Sequence, residues 1–121
     1  MLSEKAIQGL LNASPEKRYK SFLSTVTDLQ EIWLLLSKEG YATLDLDGVV
    51  HVLVWPRKEI CLLYRTGSEE AVSMEVHSFI ERCKKLEEDI RFMVFPTEKD
   101  TFIVTVQQMC EDLVNHLEEL E

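Results

Sequence analysis

The sequence predicts an α+β domain: a mostly antiparallel sheet, made of a three-stranded meander plus a second hairpin, covered by amphipathic helices in a single layer pair. Three observations carry this expectation. Asp47-Gly48, the strongest short-range hairpin signal, lies between two strand-like runs in YATLDLDGVVHVLVW, residues 41–55. A second pair of apolar runs, residues 90–95 and 102–104, flanks a loop at 96–101. Near the C-terminus, Val106, Cys110, Leu113, Leu117 and Leu120 recur at helical spacing as one stripe.

The elements follow in order. Residues 3–12 are expected as a short helix with Ile7, Leu10 and Leu11 on one face. Ser14-Pro15 then supplies an N-cap and an N1 proline for a second helix. Its apolar positions Tyr19, Phe22, Leu23 and Val26 fall at i, i+3, i+4 and i+7. DLQEIWLLLSKEG, residues 28–40, admits two readings. Asp28 with Glu31 resembles a capping box and Gly40 a C-cap, which favours a helix, whereas the unbroken run Ile32-Trp33-Leu34-Leu35-Leu36 also suits a strand buried on both faces. The hairpin that follows selects the strand, because a turn near 37–40 joins three strands through short loops. After Pro56 a helix is expected over about 57–65, ending near Gly67, then a short extended piece at 73–76. A helix over about 77–88 turns Phe79, Ile80, Cys83 and Leu86 inward. The last helix opens on a T-x-x-Q capping box, Thr105 with Gln108, and its outer face holds Gln107, Gln108, Glu111, Asp112, Asn115, Glu118 and Glu119. Val54-Trp55-Pro56 and Val94-Phe95-Pro96 look alike, but three residues do not define a repeat, and each marks a strand end.

Composition narrows the class. A chain of 121 residues with no low-complexity segment and no Gly/Ser linker fits one domain, residues 1–121. Folding buries roughly two-thirds of the surface a chain of this size exposes when unfolded. At 45% hydrophobic and 29% charged residues, this is the make-up of an ordinary globular protein. No window approaches the ~20 consecutive apolar residues of a membrane span. MLSEKAIQGLLNAS lacks the basic and apolar regions of a signal peptide, so a cytoplasmic location is expected. Three cysteines, Cys61, Cys83 and Cys110, lie far apart without a C-x-x-C pair, which argues against a disulfide framework or zinc knuckle. Cys83 and Cys110 sit on apolar helical faces, where free cysteine packs as a small hydrophobe; a reactive thiol is the other reading. The formal charge is −9, and from Glu98 onward seven acids face Lys99 alone. Such a surface argues against nucleic acid and suits a basic partner protein.

At this point the chain resembles a known family, the small bacterial proteins catalogued as domain of unknown function 2750. The likeness rests on Ser21-Phe22-Leu23, Ile32-Trp33, Gly40-Tyr41-Ala42, and Trp55-Pro56 with Glu59. It continues through Phe79 and Leu86 to Val94-Phe95-Pro96 and the C-terminal helix, covering about residues 16–120 in order. The resemblance implies a compact bacterial single-domain protein. It brings no catalytic residues with it.

Candidate sites come from the residues themselves. In VLVWPRKEICLLY, residues 52–64, Pro56 ends a strand and fits the first turn of a helix. Arg57 and Lys58 in that turn oppose the helix dipole, and Glu59 compensates in part. Trp55, Arg57, Lys58 and Glu59 therefore form a candidate anion or ligand site; the other reading is a strand-to-helix corner with solvated cations and a core indole whose N–H bonds nearby. Glu111, Asp112, Glu118 and Glu119 on the last helix form a candidate surface for a basic partner, in the manner of an immunity protein or antitoxin by analogy alone, or else serve solubility. His51, His77 and His116 show no metal spacing, and His77 with Glu81 is a lone i, i+4 pair. No metal, cofactor or catalytic residue is expected, since no nucleophile, P-loop or dinucleotide motif occurs and four glycines leave little for a phosphate cradle. Glu87-Glu88-Asp89 reads as solvated charge. A binding module is expected ahead of an enzyme.

Overall fold

A computed structural model of the chain describes residues 2–86, 89–97 and 100–120. The fold is α+β, and the described residues form two mostly antiparallel sheets and five helices. Helix α1 (Glu4–Leu11) is capped by the Ser3 side chain, which accepts from the Ala6 N–H. Helix α2 (Pro15–Leu29) starts as the sequence demands, with Ser14 accepting from the Lys17 N–H and proline at N1. It stops where Gln30 takes a left-handed conformation, φ 58°. Asp28 thus lies in the last turn of α2, and the Asp28–Glu31 capping box of the helical reading does not form. Glu31 instead opens strand β1 (Glu31–Ser37), as the meander reading requires.

Strand β1 pairs antiparallel with β2 (Gly40–Tyr41) on one side and β5 (Glu70–Glu75) on the other. Leu34 and Leu35, on opposite faces of β1, are both buried, so this run is covered on two sides. β2 continues into β3 (Thr43–Leu46), which pairs with β4 (Val49–Val54). The turn between them has Asp47 at φ 53° and Gly48 at φ 81°, the two positive dihedrals that make Asp-Gly a hairpin signal. The Gly48 N–H also donates to Asp45, 2.9 Å. β4 then pairs with β6 (Arg91–Val94), and β6 with β7 (Phe102–Thr105), the expected second hairpin. A reciprocal backbone bridge between Trp33 and Trp55, both bonds 2.9 Å, joins the two sheets.

The β4–β6 pairing is parallel, which the sequence did not announce. Its register sets Val54 beside Val94, so the two look-alike tripeptides lie next to each other at the sheet's end. Two element lengths also differ from expectation. The segment at 70–75 is a full strand, and Val76 belongs to helix α4 (Val76–Cys83) rather than to an extended piece. That helix ends at Cys83, not near 88; Leu86 lies beyond it in a turn, 39% exposed, and Glu87 and Glu88 lie outside the described residues. After Pro56, helix α3 covers only Lys58–Cys61 before a 3-10 turn at Leu62–Tyr64. Its N-cap is Arg57, which makes no side-chain capping bond.

Helix α5 (Val106–Glu119) packs against α2, α4, β6 and β7. Thr105 caps it, accepting from the Gln108 N–H at 3.0 Å, but the Gln108 side chain turns to Asp112 rather than completing the box. Phe22, Val26, Ile32, Trp55, Phe92, Phe95, Met109 and Leu113 form the centre of one continuous core. Among the described residues no helix is long and apolar enough to cross a membrane.

Candidate functional site

The corner after β4 separates its four candidate residues. Trp55 is fully buried and stacks on Tyr64, centroids 6.0 Å apart. Its Nε1 has no hydrogen-bond partner among the described residues, which corrects the expectation that the N–H bonds nearby. The reason is location: the two-residue bridge to Trp33 pins the backbone, and apolar packing fixes the indole. Lys58 swings over the Trp33 ring, 6.0 Å from its centroid. Arg57 faces Glu59 at 3.7 Å, an ion pair too long for a hydrogen bond, so that carboxylate oxygen is also left without a partner. Arg57 further lines a cleft of about 400 Å³ with Asp28, His116 and Glu119. One cation among two acids is a poor cradle for an anion.

On α5 the four acids divide. Asp112 accepts from the Tyr19 hydroxyl at 2.5 Å and from Gln108 at 2.9 Å. Burial, and then Asp112, push the Tyr19 hydroxyl well above the ordinary phenol range. Asp112 is therefore a strut between α2 and α5. Glu111 accepts from Gln107 within the helix, 3.2 Å. Glu118 and Glu119 are exposed and have no ion-pair partner among the described residues; Glu98 and Glu121 lie outside them.

The histidines stay apart. His51 is buried opposite Leu44, with Nδ1 on the Val49 carbonyl, 2.9 Å. His77 meets Glu75, whose carboxylate caps α4 by accepting from the His77 and Ser78 N–H groups. Those bonds, the His77 N–H first, hold Glu75 below the usual carboxylate range. Glu81 pairs with Lys84 at 3.0 Å rather than with His77. Among the described residues no group of three or more His, Cys, Asp and Glu side chains converges.

What the sequence did not reveal is a cleft of about 690 Å³ under the C-terminal end of α4. Its floor comes from five strands: Leu34, Tyr41, Thr43, Val52 and Met74. Phe92 of β6 and Phe79 of α4 close one end, their rings 5.4 Å apart. The pairing Thr43↔Val52↔Phe92 explains the floor, since residues opposite each other in register share one face. Tyr41, Val50 and Leu86 stay 37%, 40% and 39% exposed here, more apolar surface than a solvated wall requires. Arg82 and Lys85 stand at the rim. Both are exposed, and among the described residues neither side chain has an ion pair or hydrogen bond. Alternation in β4 and helical spacing in α4 flagged most of these residues as apolar, but sequence periodicity treats any apolar face as core.

A family model described as Protein of unknown function (DUF2750) matches residues 19–113 of the chain. No curated protein matches it.

Proposed function

Because the chain belongs to that family of proteins of unknown function, its activity has to be read from its own surfaces, and we propose that it is a binding module for a small amphipathic anion. The observation that carries this reading is the open apolar cleft of about 690 Å³ with two cations, Arg82 and Lys85, at its rim. Its volume lies within the usual range for small-molecule sites, roughly 300–1,000 Å³. An apolar tail would cover Tyr41, Val50 and Val52, while a carboxylate or phosphate head would sit between Arg82 and Lys85. The Arg82 fork suits either head group. Burial of the tail supplies most of the affinity and the two cations supply the sign preference.

Decanoate tests this directly against decanol and decyltrimethylammonium by calorimetry and thermal shift. Decanoate is expected to bind most tightly, and Arg82→Gln with Lys85→Gln to weaken it about tenfold while leaving decanol unchanged, the scale of one charge-assisted contact at an exposed rim. No binding of any of the three probes, or equal affinity in the double variant, refutes the reading.

A second reading, interaction with a basic protein through α5, is supported by the exposed Glu118 and Glu119 and by the net charge of −9. Asp112 serves Tyr19, so this surface rests on Glu111, Glu118 and Glu119. Charge reversal at Glu111 and Glu118 should then abolish salt-sensitive capture of that partner.

A further inference from the structure

The outer edge of β3 is set by the hairpin it belongs to. The two-residue turn at Asp47-Gly48 makes Leu46 and Val49 a hydrogen-bonded pair, and bonded pairs alternate along an antiparallel ladder. Leu44 and His51 are therefore the next bonded pair, and the Leu53 N–H donating to the Ala42 carbonyl at 3.2 Å keeps the same phase. Thr43 and Asp45 are left with backbone N–H and C=O groups turned away from β4. β3 is the end strand of its sheet, so among the described residues no strand lies beyond it. All of its residues are exposed. Thr43 lines the cleft of about 690 Å³, so Leu44 and Leu46, of the other parity, point to the opposite face, where they are 46% and 38% exposed. Natural sheets blunt such edges with lysine, proline, a bulge or a charge. The free edge of β5 begins and ends on Glu70 and Glu75. β3 has neither lysine nor proline, its ladder with β4 runs without a bulge, and its one charge, Asp45, accepts from the Gly48 N–H at 2.9 Å.

What fits this edge is the same edge of a second copy. Two copies related by a two-fold axis pair antiparallel, and outward-turned positions have to meet outward-turned positions. An axis through Asp45 sets two carboxylates opposite each other, and an axis through Thr43 sends Asp45 past the strand end to Tyr41. An axis through Leu44 pairs Thr43 with the partner's Asp45, and Asp45 with the partner's Thr43. Each of these pairs exchanges both its N–H···O bonds and sets a hydroxyl beside a carboxylate, while Leu44 lies directly against the partner's Leu44. We propose that the β3 edge is the dimer interface of this protein: two copies join β3 to β3 about a two-fold axis at Leu44, and their four-stranded sheets become one continuous sheet. The strand is short, so the dimer dissociates on dilution. The interface leaves the Arg82 and Lys85 rim free and does not depend on the ligand-binding reading.

Sedimentation velocity of the reduced full-length chain, from about 1 µM to about 1 mM, should show a shift from monomer to dimer and no larger species. Leu44→Lys sets two ammonium groups opposite each other and should raise the dissociation constant at least about tenfold. Thr43→Pro removes an N–H that the β3–β4 ladder does not use and should act in the same direction. Circular dichroism and thermal melting check that both variants are folded. Residues opposed at a non-bonded pair have Cα atoms ~4.5 Å apart, within the ~4.4–6.8 Å that a disulfide spans. Leu44→Cys should therefore oxidise in air to a covalent dimer linked at position 44, as read by peptide mapping with the parent chain as control. Because the parent chain alone reports its mass, the result does not depend on any variant folding. A monomer at about 1 mM, a dimer that Leu44→Lys leaves unchanged, or a folded Leu44→Cys chain that gains no link at position 44 each overturns the proposal.

Discussion

Arg18 is the residue whose removal should cost this fold most for its size. It is 1% exposed, on the first turns of α2, and its guanidinium reaches three places at once. Nε donates to the Phe95 carbonyl at 3.3 Å, Nη1 to the Ala13 carbonyl, and Nη2 to the Asp100 carboxylate. It thereby ties the α1–α2 connection to the segment after β6, where Phe95 adopts φ 48°. In Arg18→Ala the buried Phe95 carbonyl loses its donor, at about 1–3 kcal/mol. The lost side-chain stem leaves a cavity worth about 1–2 kcal/mol more. Asp100 contributes little to the loss, because its side chain is 44% exposed and water replaces the guanidinium. The expected total is about 2–5 kcal/mol. Arg18→Met keeps the stem and should lose roughly half of that, and Asp100→Asn should lose under about 1 kcal/mol. Urea unfolding followed by fluorescence of Trp33 and Trp55 reads all three, provided the slope against urea stays constant. A loss below about 1 kcal/mol for Arg18→Ala refutes the reasoning. So does an Asp100→Asn loss equal to that of Arg18→Ala, which would mean that the ion pair, not the buried carbonyl, sets the cost.

The α4 cap gives a pH signature. Glu75 is held below its ordinary value of 4.5, so its stabilisation is complete at neutral pH and is lost as pH falls through the lowered folded-state value. Glu75→Gln should therefore cost roughly 0.5–1 kcal/mol at pH 7, and the gap should shrink as pH falls below the ordinary value of 4.5; a thermal-melt gap that stays constant from pH 7 into acid until unfolding contradicts this. Cys61, buried and with its thiol pushed up by that burial to about 12, should resist iodoacetamide at pH 8 in the folded protein while Cys110 labels. Equal labelling rates for the two would contradict the burial argument.

Local chemistry in the sequence was a good guide where the backbone itself makes the decision. Ser14-Pro15 and Asp47-Gly48 specify dihedrals, and the structure follows both. The run from Ile32 to Leu36 was ambiguous by composition and was settled by its neighbour, the meander. Contacts between distant segments were another matter. Nothing around Arg18 distinguishes it from Lys17 or Lys20, because its burial follows from where the β6–β7 hairpin docks. Cys83 and Cys110 each sat on an apolar face, yet that both line one cleft depends on how α4 crosses α5. The parallel β4–β6 pairing, which builds the cleft floor, joins segments separated by two helices and a strand. No local signal encodes it. At the Trp55 corner the converse holds: adjacent residues in sequence leave the turn in different directions, Arg57 toward Glu59 and Lys58 over the Trp33 ring.

The cations at the end of α4 have a simpler use that must be set against ligand binding. A helix C-terminus carries partial negative charge, and Arg82 in the last turn of α4 stabilises it by about 0.3–1 kcal/mol wherever its side chain points. Lys84 serves the same end while pairing with Glu81. The dipole therefore accounts for the presence of cations, but not for their division. Residues 82 and 85 lie three apart and share a face, and that face is the one bordering the cleft. The two uses separate experimentally. Arg82→Gln should lower the melting temperature of the unliganded protein slightly through the dipole, whereas Lys85→Gln, beyond the helix end, should leave it unchanged. Both should reduce the stabilisation by decanoate. If Arg82→Gln lowers melting equally with and without decanoate, the cation serves the helix alone and the anion preference must reside elsewhere.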